Sequence, residues 1–279
     1  MINLQPINSQ LTKLLKLVRT ALTPNDPPRV PESMLWVIKQ SREMIDSSEP
    51  IATVPLIKLG NIEFGLGEKE RAERYFAKAV TQAEVEKAYE LVAVASVNLG
   101  VVLLQRREFV LAEKGFEKAL GTLGTNEDHI LHTTALINIG IALKNQNKLK
   151  GAHDRFTEAL VLAKRHDFQD AEAKCWINFS YFDYADKNYL AAIEKLRLAL
   201  DLYAITGNSI DQIRAYYNIG LVFADAGDFA SALKNLERAQ EIASAKQIEY
   251  GDNKIASAIE SIRERQRESM PTGKDTPKL

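Results

Sequence analysis

The chain has 279 residues, 36 Lys+Arg against 37 Asp+Glu for a net charge of −1, and 46% hydrophobic residues. That length accommodates one or two compact domains or one elongated array, and so high an apolar fraction excludes wholesale disorder. A balanced charge gives no overall positive field for phosphate, which argues against nucleic acid as a partner, and a single cysteine, Cys175, excludes an internal disulfide framework and a multi-cysteine zinc site.

The first ten residues lack a positive start followed by an apolar run, so no secretory signal is read, and the lone thiol suits a reducing, cytoplasmic setting. Residues 1–50 are expected to form an N-terminal helical arm. Leu11, Leu14, Leu15, Val18 and Leu22 share one side of a predicted helix, with Lys13, Lys16 and Arg19 elsewhere around it. Pro24, Pro27, Pro28 and Pro31 make a semi-rigid spacer, and a second helix over about 32–46 offers Leu35, Trp36, Ile38 and Ile45. Three cations are too few to hold a lipid surface, so the arm is expected to dock on the first repeat or on a partner, a second copy of the chain included.

From residue 51 to 247 the sequence repeats. Gly60, Gly100, Gly140, Ser180 and Gly220 stand 40 residues apart, each preceded by Leu59, Leu99, Ile139, Phe179 or Ile219. Three further ladders keep the register: Ala72, Ala112, Ala152, Ala192 and Ala232; Phe76, Phe116, Phe156, Leu196 and Leu236; Ala79, Ala119, Ala159, Ala199 and Ala239. Each unit reads as two helices joined by a turn at Gly67, Arg107, Asn147, Lys187 or Gly227, with the small residues where the helices cross most closely. The longest uncharged apolar stretch, Leu91 to Leu104, is shorter than the roughly 20 residues of a membrane span and reads as a buried helix, so no transmembrane segment is expected. Residues 248–269 are expected to form a capping helix, started by Asp252, with Ile255, Ile259 and Ile262 in a stripe and a charged end from Arg263 to Glu268. Residues 270–279 are expected to be a disordered tail.

The order L-G, turn, A-x-x-x-F-x-x-A resembles the tetratricopeptide repeat from about Thr53 to Ala245. The usual repeat is about 34 residues, so the chain is similar to the longer subclass that includes Pins-type polarity adaptors, kinesin light chain and bacterial Rap regulators. The resemblance implies an all-α solenoid of five helix-turn-helix repeats in a right-handed superhelix, with repeats at about 53–92, 93–132, 133–172, 173–212 and 213–247. Departures are visible. Where many repeats carry Trp this chain has Leu56, Ser96, Leu136, Trp176 and Tyr216, and where many carry Tyr it has Glu63, Leu103, Leu143, Asp183 and Phe223. Pro55, near the start of the first repeat, is expected to set a helix beginning.

Winding the first helix of each repeat at about 100° per residue puts a second stripe opposite the Gly ladder. It reads Val54, Lys58, Asn61, Gly65; Val94, Asn98, Val101, Gln105; Thr134, Asn138, Ile141, Asn145; Lys174, Asn178, Tyr181, Ala185; Arg214, Asn218, Leu221, Asp225. A free amphipathic helix would carry charge there. The second helices do carry it, for example Lys69, Glu70, Glu73 and Arg74, so first helices are read as an inner wall and second helices as an outer one. Asn98, Asn138, Asn178 and Asn218 recur at one position although Asn is a poor helix former. An Asn amide matches the N–H and C=O of an extended peptide, whatever its sequence. Val101, Ile141, Tyr181 and Leu221 would add apolar contact, and Lys174 and Arg214 would meet a carboxylate. The alternative is that these Asn residues bond neighbouring helices, or persist from duplication. The resemblance supports peptide contact, because Asn at this position touches the ligand backbone in peptide-binding members.

Other candidates are read as structural. His129 and His132 beside Glu127 and Asp128 lack further metal ligands, Cys175 stands where sister repeats have Ala95, Ala135 and Ala215, and Trp36 and Trp176 read as packing anchors. There is no phosphate-binding G-x-x-x-x-G-K-[ST], H-E-x-x-H or G-x-S-x-G. The sequence therefore reads as a non-catalytic adaptor, with no cofactor or metal, that holds an extended peptide or tail of another protein. Its alternatives are a self-assembling scaffold and a peptide-responsive regulator like the Rap group.

Overall fold

The computed structural model describes residues 12, 38–43, 52–124, 129–248 and 253–269, and no strand occurs among them. Residues 38–43 are helical. The repeats supply α1 (Thr53–Gly65), α2 (Lys69–Val85), α3 (Tyr89–Gln105), α4 (Phe109–Leu123), α5 (His129–Asn145), α6 (Leu149–Arg165), α7 (Gln169–Ala185), α8 (Tyr189–Thr206), α9 (Ser209–Asp225) and α10 (Phe229–Lys246), followed by α11 (Lys254–Ser269). Two compact units divide at residues 171 and 172, near the start of α7. In the first, each helix from α1 to α6 packs on the next, and α1, α3 and α5 also touch one another in turn. In the second, α8 packs on α9, α9 on α10 and α10 on α11.

The helix starts reproduce the sequence period. Tyr89, His129, Gln169 and Ser209 open the first helices 40 residues apart, and Lys69, Phe109, Leu149, Tyr189 and Phe229 open the second helices at the same spacing. The first helices of repeats two to five begin four residues before the expected boundaries at 93, 133, 173 and 213. Among the first helices α1 alone is short, 13 residues against 17. Pro55 accounts for the difference: it lacks an N–H and is tolerated only in a first turn, so α1 cannot extend back by that extra turn. No side chain of Ala52 caps α1. Glu86, from the turn after α2, does so instead, accepting from the Thr53 N–H at 3.3 Å and from its hydroxyl at 2.8 Å. Burial pushes the Glu86 carboxyl up, but hydrogen bonds from Gln82 and Thr53 hold it below its ordinary value.

The turns lie where the ladder placed them. Gly67 and Gly227 have positive φ, and so do Arg107, Asn147 and Lys187 at the equivalent positions. Each closes its helix by one pattern, seen where Glu68 N–H reaches Glu63 O at 2.9 Å and Gly67 N–H reaches Phe64 O at 3.0 Å. The helix crossing is equally repetitive. A Cβ on Gly60, Gly100 or Gly140 would lie 2.6, 2.6 or 2.5 Å from the ring of Phe76, Phe116 or Phe156. Such separations are far inside ordinary carbon contact of about 3.5–4.0 Å, so glycine is needed because the Phe ring occupies the Cβ space. In repeat four, Ser180 coincides with Leu196 in place of Phe, and both are buried.

Departures from the usual Tyr position are matched by charge. Glu63 in α1 is 0% exposed and accepts two hydrogen bonds from Arg42, Nε at 2.6 Å and Nη2 at 2.7 Å. Beside it Ile38 and Ser41 are also buried. Residues 38–43 therefore pack on the first repeat, and the hydrogen bonds to Glu63 raise the Arg42 guanidinium further. In repeat four, Asp183 accepts from Lys195 of α8. At the other end Ile255, Ile259 and Ile262 of α11 are buried against Ile213, Leu236 and Ala239, as a solenoid cap requires. The expected proline spacer, the Asp252 cap and the tail at 270–279 lie outside the described residues.

Candidate functional site

The two stripes of the first helices differ in burial as their chemistry requires. Toward the second helices, Leu56, Leu59 and Gly60 of α1, or Leu136, Ile139 and Gly140 of α5, are buried. On the opposite side of the first unit, Lys58, Asn61, Val94, Asn98, Val101, Thr134, Asn138 and Ile141 are half-buried, while Gln105 and Asn145 are exposed. In the second unit Lys174, Arg214, Tyr181 and Leu221 are exposed, Tyr181 at 41%. These are positions where a bound chain would gain contact without disturbing the core.

The four Asn residues are not equivalent. Asn98, Asn138 and Asn218 make no hydrogen bond to another described residue, so their amides keep both donors and the acceptor. Asn178 is only 7% exposed, and its Nδ2 donates to Lys174 O at 2.9 Å within α7. Asn145 likewise donates to Ile141 O at 2.8 Å. The cations differ too. Arg214 Nη1 meets Asp211 Oδ1 at 2.5 Å, and Asp211 is held in turn by Asn208, which caps α9. Lys58 Nζ donates to Thr12 Oγ1 at 2.8 Å, so a residue from the region before the repeats meets the first member of the row.

In the second unit a polar line fastens the row to the cap. Tyr184 of α7 donates to Asp225 Oδ2 of α9 at 2.7 Å. Arg265 of α11 approaches Asp225 Oδ1 at 3.4 Å, donates to Ala224 O at 3.1 Å and lies over the Phe229 ring. The bond to Asp225 raises the Tyr184 phenol above its ordinary value. This line carries no periodic signal, since Asp225 stands where sister repeats have Gly65, Gln105, Asn145 and Ala185. An aromatic group, Trp176, Phe179, Phe182 and Tyr181, surrounds the same part of α7.

Cys175 is buried, and burial pushes its thiol up to about 12, which leaves it protonated and unreactive at neutral pH. His129 stacks on His166 at 4.0 Å between ring centroids, and His166 on Phe168 at 5.6 Å. Burial first, then the charges of His129 and Arg165, lower His166 below its ordinary value. Among the described residues no group of three or more His, Cys, Asp or Glu has metal-binding geometry, and no helix is long and apolar enough to cross a membrane.

Tetratricopeptide repeat profiles match residues 171–245 and residues 55–85. No curated protein sequence matches the chain. Among solved structures it is similar to BtubC (BKLC) from P. vanneervenii, 20% identical across 88% of this chain and 94% of that one, with a TM-score of 0.56. It is similar to the apo form of RapI, 14% identical across 94% and 75%, with a TM-score of 0.64. A third is aspartyl phosphate phosphatase F from Bacillus subtilis, 16% identical across 96% and 72%, with a TM-score of 0.57. At these identities the likeness is one of fold. The helix pairs, their 40-residue register and the profile matches define an all-α helical-repeat protein. Residues 55–85 and 171–245 match the tetratricopeptide repeat, and the fold of the chain resembles that of the Rap regulators.

Proposed function

We propose that the chain is a non-catalytic adaptor, acting in the cytoplasm, that holds an extended peptide or tail of a partner protein on the inner rows of its first helices. One observation carries the reading. Asn98 and Asn138 of adjacent repeats leave their amides without a partner among the described residues, on helix faces where Asn costs helix stability and contributes nothing to the core. A peptide running past them gains backbone hydrogen bonds, while Val101 and Ile141 supply apolar contact to its side chains. In the second unit, taken by itself, Asn218 keeps the same capacity, Tyr181 and Leu221 offer apolar contact, and Lys174 is the better-placed cation for an acidic side chain because Arg214 is already paired with Asp211.

The test is selection from a random linear-peptide display library on the folded chain, followed by affinity measurements on Asn98→Ala and Asn138→Ala variants. Peptides whose binding falls in these variants, at unchanged thermal stability, support the row. Selected peptides that bind all variants equally place the interaction elsewhere.

A further inference from the structure

The second helices turn one face to solvent, and at one register position on that face four of the five carry charge. Lys78 of α2, Lys118 of α4, Glu158 of α6 and Arg238 of α10 stand there, and all four are exposed. Leu198 takes that position in α8 and is 46% exposed. On the same helix Leu190 is 75% and Ile205 68% exposed, so three large apolar side chains meet water. They are eight and seven residues apart, which keeps them within about 80° of one another around the helix. Glu194, Arg197 and Asp201 complete the face, exposed and without an ion pair among the described residues. Scattered exposed leucines are ordinary on a monomer, whereas a stripe of them along one helix marks a surface that another molecule covers.

We propose that α8 is a self-association face on which α8 of a second copy lies antiparallel. The proposal is independent of the peptide row. The charge order along the face, acidic at Glu194, basic at Arg197 and acidic at Asp201, selects both the occupant and its direction. A parallel copy would set each charge against itself. About a twofold axis between Arg197 and Leu198, an antiparallel copy sets Leu190 against Ile205 of the second copy and Leu198 within one residue of its own counterpart, so the whole apolar set is covered. Arg197 then lies three residues, about 4.5 Å along the axis, from Asp201 of the second copy and four residues, about 6 Å, from its Glu194. Each guanidinium that is unpaired in one chain gains two carboxylates in the pair, which offsets the approach of Glu194 to Asp201 across the axis. The 18 residues of α8 make a helix about 27 Å long and about 10 Å across. The covered face is therefore on the order of 300 Å² per copy, short of the roughly 800 Å² of a stable interface, so the dimer is weak and forms as concentration rises.

Sedimentation velocity of the full chain from about 1 to about 200 μM tests this, and the unaltered chain should shift from monomer toward dimer over that range. Leu198→Lys installs the residue that α2 and α4 carry at this position, so the melting temperature should hold while the dimer dissociation constant rises about tenfold or more. Arg197→Glu should do the same by leaving only carboxylates along the face. Mixing Arg197→Glu chains with chains carrying Glu194→Lys and Asp201→Lys should restore dimers, as mixed pairs tighter than those of the unaltered chain. A monomer at every concentration, a self-association that either single variant leaves intact, or a mixture no tighter than its separate components would overturn the proposal. A face that serves a different protein would give the first of these results.

Discussion

The crossing of α5 and α6 at Gly140, as close as its sisters at Gly60 and Gly100, makes a quantitative prediction. In Gly140→Ala the new methyl would sit 2.5 Å from Cε1 and 2.8 Å from both Cδ1 and Cζ of Phe156, a ring that is fully buried. Overpacking of this kind costs about 1–3 kcal/mol, and contact with three ring atoms at once puts the change near the upper end. Helix propensity opposes it, since Ala in a helix interior is better than Gly by about 1 kcal/mol. The net expectation is a loss of about 2 kcal/mol, measured by urea unfolding followed by far-UV circular dichroism. Phe156→Leu alone should also destabilise, through the cavity it leaves. The double variant recreates the small-residue and Leu pairing of Ser180 with Leu196, and should be more stable than the sum of the singles by at least about 1 kcal/mol. A neutral or stabilising Gly140→Ala, or strict additivity in the double variant, would refute the steric account of the Gly ladder.

Arg42→Met should cost about 3 kcal/mol or more, because it strands the fully buried Glu63 charge. Glu63→Leu should cost less, since the partly exposed Arg42 can turn to water, and the double variant should recover part of the larger loss in the same unfolding assay. His166 makes a pH prediction. Its folded-state value lies below the ordinary one, so as pH falls past about 6.5 the unfolded chain takes up the proton first. Stability should decline from there until the lower folded value is reached, and stay level above. Melting temperature against pH checks this, and His166→Asn should flatten that step; an unchanged step would contradict it.

The parts of this structure legible in sequence are those that recur. The Gly, Ala and Phe ladders located the helix pairs, and the residue seven positions after each Gly or Ser located every turn, because each repeat solves the same packing problem with the same residue types. The approximate repeat boundaries fall four residues after the helix starts of repeats two to five, since the extra turn lies before the ladder and carries no repeated marker. Single compensations were also invisible. Glu63 and Asp183 look like faults in the Tyr position until Arg42 and Lys195 are seen beside them, and neither cation belongs to a ladder. Within the candidate site, the Asn row was legible as a row but its members were not distinguishable. Asn178 is absorbed by its own helix, and Lys58 by Thr12, through contacts that depend on local burial rather than on period.

The most direct test of the peptide row is the affinity of a display-selected peptide for the Asn98→Ala/Asn138→Ala double variant, measured alongside its thermal transition. Each amide hydrogen bond contributes about 0.5–1.5 kcal/mol, so loss of two should weaken binding by roughly 5- to 150-fold. The melting temperature should hold or rise slightly, because Ala is the better helix former and neither amide bonds another described residue. Asn178→Ala, which removes a buried hydrogen bond, should lower it instead. An Asn98→Ala/Asn138→Ala variant that melts early, or that binds the peptide as the unaltered chain does, would contradict the account.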